Sequence, residues 1–384
     1  MTASEHPIRA TSAGYPISGI LCPDPVRILV LSKRRYTGKD LLSERYGRLW
    51  EIPAELSGVG HEVRGVVAAY RAECAASKVG WLSARSAPHP LMLGHAWRTS
   101  LGVFRPDVIW ASSDAAHLIA AMRLGSDWRV PVVLDHYDDY EAFGLTRWTG
   151  LTRRLREATA AAAAVTAVGH RLRSTLIERG ARPDRVHVIP NGVPEAFDPA
   201  ISRDEARRRL GLPRDAPLFG TAGALDESRG IGDLGRAAMH LADEARLVIA
   251  GPGSRAALGA LPEGAIDLGV LPHADVAVLF RALDVGVVCN RETPFGRHCH
   301  PMKLVEMSAC GLPVVATAVG EAALLLAGTP EALYPAGDAQ ALAVRVRAVL
   351  RGTASQRPSL ATPWQVLARD VEHVLESAIE SGRR

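Results

Sequence analysis

The run RETPFGRHCHPMKLVEMSACGLPVVAT, Arg291 to Thr317, concentrates groups that can handle an anion. Its opening stretch carries Pro294, Gly296, His298, Cys299 and His300, the make-up of an irregular loop that lines a site. The spacing then predicts a helix. Pro301 suits a first helical position, Met302, Val305 and Ala309 recur at helical intervals, and Gly311 with Pro313 is a stop signal before a buried strand, LPVVAT. A loop delivered onto a helix N-terminus presents free backbone N–H groups and the positive end of the helix dipole, which suits phosphate. Glu306 stands in the second turn beside Lys303. It can take two hydrogen bonds from a cis-diol, or simply pair with Lys303 across one turn. His298, Cys299 and His300 could instead ligate a metal, but adjacent ligands from one loop with no second pair elsewhere make a poor zinc site.

Polar chemistry also gathers in LDHYDDYEAFG, which begins at Leu134 directly after a strand-like run. There His136 is surrounded by Asp135, Asp138, Asp139 and Glu141. At the carboxyl edge of a parallel sheet such a cluster can face a substrate and would favour a cationic one, such as an amino sugar or aminocyclitol. A solvated acidic loop is the plain alternative. Gly251 to Gly253 is a lone GxG, and no GxGxxG opens a helix, so a nicotinamide dinucleotide site is not indicated.

The elements that must position these groups alternate in type. VRILVLS from Val26, HEVRGVVAAY from His61, PDVIWAS from Pro106, PVVLDH from Pro131, AAVTAVG from Ala163 and VHVIPNG from Val186 read as strands separated by helices. LLSERYGRLWEIPAELSGVG has helical spacing between the first two. A second series follows, with PLFGTAG, RLVIAGPG, AIDLGVL, DVGVVCN and LPVVAT. The Pro-rich PNGVPEAFDPA joins the series and can continue neither helix nor strand. Two doubly wound α/β domains with a hinge are therefore expected: a loose leader over 1–25, a first domain over 26–193, a second over 194–362, and a final helix over 363–384.

The length of 384 residues suits two domains, and 47% hydrophobic with 22% charged residues is ordinary for a globular chain. A net charge of +4, without like-charge blocks or interleaved aromatics, argues against nucleic acid. No run approaches the ~20 apolar residues of a membrane span, and LLSERYGRLWEIPAEL carries too few cations for a membrane-surface helix. Membrane association is not indicated. The first residues lack a signal-peptide core, so a cytoplasmic protein is expected. Cys22, Cys74, Cys289, Cys299 and Cys310 form no CxxC pair, so neither a disulfide framework nor a zinc ribbon is suggested.

In this order the segments resemble the retaining glycosyltransferases of family 4, which have the GT-B fold. VIPNGVPEAFDP is similar to the family's interdomain segment, VTAVGHRLRSTLIERG to the helix before it, RLVIAGPGS to a strand end, and PMKLVEMSACGLPVVAT to the donor-binding region. The final helix with Trp364 resembles the one that crosses back to the first domain. The resemblance implies two Rossmann-like domains facing a central cleft, with the nucleotide-sugar on the second and the acceptor on the first.

Carried over, Glu306 would hold the ribose hydroxyls. His298, eight residues earlier, stands where the family has the first acid of a pair, near the donor sugar. Cys299, His300, Met302 and Lys303 would complete that side of the donor site. In TAGALDESRGIGDLGRAA, Ala224 replaces a diphosphate-binding Arg and Arg229 stands for the partner Lys. Gly223, Gly230, Gly251 and Leu271 join the donor set, and Gly38 in SKRRYTGKD would approach the diphosphate. His136 would lie close to the donor sugar and the acceptor hydroxyl, giving a catalytic set of His136, Arg229 and Glu306. Asp135, Asp138, Asp139 and Glu141 would face the acceptor; they do not form the DxD of metal-dependent transferases.

The implied reaction is front-face transfer of a sugar, with retention, to a hydroxyl of a small acceptor, as in natural-product biosynthesis. UDP is the nucleotide by family habit, and no metal or cofactor is implied. Two alternatives stay open: an epimerase or hydrolase of nucleotide-sugars, or a non-catalytic sugar-nucleotide binder, which Ala224 and His298 would permit.

Overall fold

The computed structural model describes residues 24–70, 77–87, 89–143, 146, 150–194, 197, 200–259, 261–352 and 359–383. The expected leader, Cys22 and Cys74 lie outside the described residues, apart from the leader's last two positions. The first sheet runs, from edge to edge, Val186–Val188, Ala164–Ala167, Val132–His136, Val108–Ala111, Arg27–Lys33, Glu62–Ala69, Leu82–Ser86 and Ser77–Val79. Every pairing is parallel except the last, on the edge. Its central strands are buried along their whole length because helices cover both faces: all of VIWA and VVLDH is buried, including Asp135 and His136 at the end of the latter.

A second sheet, wholly parallel, runs Ile266–Asp267, Arg246–Ala250, Leu218–Ala222, Val285–Val288, Val314–Thr317 and Leu333–Tyr334. This is the GT-B arrangement of two Rossmann-like units. Strand order reverses between Arg27–Lys33 and Val108–Ala111 in one sheet, and between Leu218–Ala222 and Val285–Val288 in the other. Such reversals open a crevice at the carboxyl ends of the strands.

Local differences from the sequence expectation have physical causes. The long helix expected from LLSERYGRLWEIPAELSGVG is confined to Arg48–Gly58. Gly47, at φ 70°, breaks it, and a Cβ there would lie 2.5 Å from the Tyr36 ring. Upstream, a hairpin pairs Arg35–Tyr36 with Lys39–Asp40. The loop expected from Arg291 to His300 contains a helical turn, Pro294–His298, because the Thr293 hydroxyl accepts the Gly296 N–H at 3.2 Å and Pro294 fits the first helical position. Pro301 caps the following helix, Met302–Ala309, and is not its first residue.

The chain crosses between the sheets twice, side by side. Val193 bridges to Pro363, and its N–H donates to the Thr362 carbonyl at 3.0 Å. Beyond that point the helix Trp364–Arg383 buries Trp364, Leu367, Val371, Leu375 and Ala378 among Ile28, Val30, Leu49 and Ile52 of the first unit. The units also meet through Glu321, whose carboxylate accepts the His170 and Arg171 N–H groups at 2.9 and 3.1 Å. The helix His170–Glu178 opens on Gly169, which offers no side-chain cap, so an acid from the other unit supplies one. Among the described residues no helix is long and apolar enough to cross a membrane.

Candidate active site

A cleft of about 340 Å³ separates the carboxyl edges of the two sheets and takes walls from both. On the second unit Gly223 and Cys289 stand on its wall, each packed closely against a glycine that is not itself on the wall, Gly251 and Gly230 respectively. A Cβ on Gly251 would sit 1.9 Å from the Gly223 carbonyl oxygen, and one on Gly230 would sit 2.1 Å from that of Cys289. Only glycine lets these turns close so tightly at positive φ.

Cations enter the cleft from three elements. Arg229, at the end of a short turn, donates to Asp226 at 2.6 Å and lies 4.7 Å over the Phe295 ring, which fixes its guanidinium. Lys303, in the first turn of its helix, reaches the Glu306 carboxylate at 3.1 Å. Lys39 comes from the first unit on the hairpin whose tip is Thr37 and Gly38, and its ammonium stands 3.9 Å over the Tyr46 ring. Burial lowers the Lys39 pKa from its ordinary value; Glu44 resists this and the nearby Lys303 adds to it. Two ammonium groups that feel each other in a half-buried cleft favour an anion between them.

Glu306 is wholly buried and does not line the cleft. One oxygen takes the Lys303 ammonium and the other lies 3.3 Å from His273 Nε2. Burial alone would raise its pKa, but the Lys303 charge and the His273 hydrogen bond outweigh it and hold the carboxyl below its ordinary range. In this state Glu306 orients Lys303 and His273, and Lys303 stands at the cleft wall.

His298, Cys299 and His300 point three ways. His298 leaves the cleft: its Nε2 lies 3.0 Å from the Thr175 hydroxyl and its Nδ1 3.4 Å from Asp139, both in the first unit. Cys299 lines the cleft with a buried thiol that accepts from Asn290 at 3.5 Å and is pushed up to about 12 by burial. His300 also lines it, buried, with Nδ1 lacking a hydrogen-bond partner. Burial, aided by the Arg48 charge, lowers His300 to about 3, so a neutral imidazole faces the cleft. Met302 is on the same wall and accepts the Tyr46 hydroxyl at 3.5 Å. Leu271 packs half-buried against the second core and is outside the cleft wall. Among the described residues no group of three His, Cys, Asp or Glu side chains is placed to hold a metal ion.

On the first unit the acidic cluster divides. Asp135 is fully buried, 2.7 Å from each of Arg48 Nη2, the Ser112 hydroxyl and the Thr166 hydroxyl. Arg48, itself unexposed, continues to the Ile189 carbonyl at 2.9 Å. This pair ties the first sheet to the helix Arg48–Gly58, and Asp135 lines neither the cleft nor the cavity beside it. His136, the last strand residue, is buried, stacks on Tyr140 at 5.2 Å and approaches Thr159 at 3.3 Å. It faces a small cavity under the sheet edge, and burial drops its pKa to about 4. Asp139 is clamped by both Nη atoms of Arg179 at 2.6 and 3.0 Å, and Glu141 by Arg156 at 2.7 and 2.9 Å. Asp138 alone of the four acids reaches the cleft.

A side cavity of about 550 Å³ adjoins on the first unit, lined by Lys33, Tyr70, Ser113, Asp114, Tyr140 and Phe143 among others. Ser113 is held at φ 102°, costly for a residue with a Cβ, while its hydroxyl accepts the Lys33 N–H at 2.9 Å. Lys39, Tyr46, His273 and this side cavity were absent from the sequence expectation. For Lys39 a signal existed, a cation directly after the turn at Gly38; the others come together only in three dimensions.

Comparison with known proteins agrees with this architecture. Residues 49–197 match the model of Glycosyltransferase Family 4, and residues 216–352 that of Glycosyl transferases group 1. D-inositol 3-phosphate glycosyltransferase 1 of Catenulispora acidiphila is 36% identical over 233 residues, 53% of this chain and 54% of the relative. The enzyme of that name from Xylanimonas cellulosilytica is 39% identical over 158 residues, 37% of each chain. The chain thus spans about half, or less, of the curated relatives it matches. Among solved structures, sucrose-phosphate synthase of Thermosynechococcus elongatus superposes with a TM-score of 0.69 at 18% identity, over 93% of this chain and 97% of that one. HepE of Anabaena in complex with UDP-glucose gives 0.67 at 18% identity, over 92% and 99%. With one family model on each Rossmann-like unit and the GT-B arrangement between them, the chain belongs to the glycosyltransferases of family 4.

Proposed function

We propose that the cleft binds a nucleoside diphosphate-sugar, UDP-linked, and that the enzyme transfers its sugar with retention to a hydroxyl of a small acceptor. The convergence of Lys39, Arg229 and Lys303 on a crevice beside Gly223 carries this reading. A diphosphate is the anion such a site suits: Arg229 can fork onto it, Lys303 can meet it as a point charge, and Lys39 can close on it from the other unit. These protein cations serve for charge neutralisation without a metal. They also answer the departure at Ala224, since Lys303 packs against Gly223, next to the position where the family's Arg would start. The complexes of HepE with UDP and UDP-glucose, on the same fold, support the nucleotide.

The acceptor belongs in the side cavity. Its volume suits a single ring, and the inositol 3-phosphate in the relatives' names makes a cyclitol the first class to try. Asp138 on its wall would suit an aminocyclitol, and Lys33, held by Asp114 at 2.7 Å, a phosphorylated one. A mass-spectrometric screen of nucleotide-sugars against inositol 3-phosphate, inositol and aminocyclitols tests the reading. A glycosylated cyclitol with release of UDP is expected, with little free sugar when no acceptor is present. Free sugar at the same rate without acceptor would point to a hydrolase.

Glu306→Ala is expected to weaken UDP binding about 10- to 100-fold, as loss of a hydrogen bond to a charged group implies. The change would release Lys303 and His273 together, and calorimetry would show it. Unchanged UDP affinity would remove Glu306 from the donor site.

A further inference from the structure

Besides the crossover at Val193 and Pro363, side chains of the second unit grip one helix of the first, His170–Glu178, near both of its ends. The buried carboxylate of Glu321 takes the N-terminal end, accepting the His170 and Arg171 N–H groups at 2.9 and 3.1 Å. A Cβ on Gly169 would lie 2.7 Å from that carboxyl carbon, so the bare backbone there is what admits the acid. His298 takes the other end. Its Nδ1 faces two acceptors, the Pro294 carbonyl at 3.1 Å and an Asp139 oxygen at 3.4 Å, so Nδ1 carries the proton and Nε2 accepts the Thr175 hydroxyl at 3.0 Å. Asp139 is in turn clamped by Arg179, the residue that ends the helix.

Both grips belong to one block. The helix Gly320–Leu325 starts against the helical turn Pro294–His298: a Cβ on Gly320 would lie 2.3 Å from the Gly296 carbonyl oxygen and 2.7 Å from that of Arg297. The same turn carries Phe295, whose ring lies under Arg229 at 4.7 Å, and it runs directly into Cys299, His300 and Met302 on the cleft wall. The segment that grips the first unit is therefore the segment that shapes the donor side of the cleft.

Building on the transferase reading above, we propose that Glu321 and His298 form a clasp that holds the two units closed and keeps the segment from Phe295 to Met302 in its donor-facing form. Both are positioning residues, and neither touches substrate. His298 thus works between the units and not at the sugar. Water replaces each of these hydrogen bonds when the units part, so the clasp favours the closed form by a modest margin and still lets product leave. Closure matters because Lys39 comes from one unit and Lys303 from the other, and one diphosphate meets both only when the cleft is shut. The apparent affinity for donor falls in proportion to the closed fraction, and an open cleft admits water.

Glu321→Ala removes the clasp and a helix cap together, so the decisive chain is the double variant Glu321→Ala with Gly169→Asp. Gly169 has the extended backbone of an N-cap, φ −165° and ψ 169°, and with Glu321 cut back the introduced carboxylate caps the helix from its own unit. The ligand-free double variant is expected to show a larger radius of gyration than wild type by small-angle scattering, and to contract when UDP is added. It should bind UDP about 5- to 10-fold more weakly by calorimetry and release a larger share of free sugar per glycosylated acceptor, while its melting temperature stays near wild type. His298→Ala should move the radius of gyration and the free-sugar share in the same direction. A double variant that matches wild type in both of these overturns the proposal and leaves Glu321 a helix cap. Failure of the wild type to bind UDP would defeat the reading of the cleft instead, and the ligand-free radii of gyration would still judge the clasp.

Discussion

Arg229→Ala is expected to lower kcat for sugar transfer about 100- to 1000-fold, the usual consequence of deleting one preorganised group that stabilises developing negative charge. The leaving diphosphate gains charge as its bond to the sugar breaks, and Arg229 is already aimed into the cleft before substrate arrives. Asp226 at 2.6 Å and the Phe295 face at 4.7 Å hold it there, so little reorganisation is needed at the moment of reaction. The loss should fall more on kcat than on the KM for donor, because Lys39 and Lys303 still attract the ground-state diphosphate. Arg229→Lys keeps the charge but loses the fork and the stacking on Phe295, and should recover only part of the rate. Steady-state kinetics would separate the two effects. A kcat unchanged by Arg229→Ala would show that the leaving group is stabilised elsewhere.

Asp135→Ala should act on stability. Its carboxylate meets Arg48 at 2.7 Å, and both side chains are unexposed. Removing one member of a buried ion pair strands the other charge, at about 3–5 kcal/mol. The Nε atom of Arg48 already lacks a partner, the Thr166 hydroxyl loses its acceptor as well, and the Ser112 hydroxyl keeps the backbone carbonyl of residue 135 at 3.0 Å. At about 2–4 °C per kcal/mol for a domain of this size, thermal unfolding should begin about 10 °C lower. Arg48→Met combined with Asp135→Leu should cost less than the sum of the single changes, since no charge is left buried. Differential scanning calorimetry decides the matter. A shifted acceptor KM with unchanged melting would return Asp135 to the substrate side, where the sequence had placed it.

That contrast shows what the sequence could and could not convey. Apolar runs revealed most strands of both sheets, because strands buried on both faces are predominantly apolar, with polar residues such as Asp135, His136 and Thr317 confined to their carboxyl ends. Loops at strand ends, from Gly223 to Arg229 and from Asn290 to Met302, followed from the same alternation, and they do line the cleft. Within a cluster the reading was coarser. LDHYDDYE offers four acids in sequence, but the Arg residues that bind three of them lie at 48, 156 and 179, far along the chain. Only folding shows that Asp138 is the one left on the cleft wall. His136 illustrates a related limit: as the last strand residue it turns beneath the sheet, and strand register is not printed in a run of apolar residues. Lys303 hides Glu306 for a similar reason, since spacing says that the two are neighbours but not which of them meets the solvent.

The central claim is that the cleft is a nucleoside diphosphate site, and titration of UDP into the full chain by isothermal calorimetry addresses it most directly. One site per chain is predicted, with affinity that falls as salt is raised, because charge carries the recognition. The affinity should weaken in Lys303→Ala and survive in Asp138→Asn. No binding heat and no shift in melting temperature with UDP, GDP or dTDP would contradict the account.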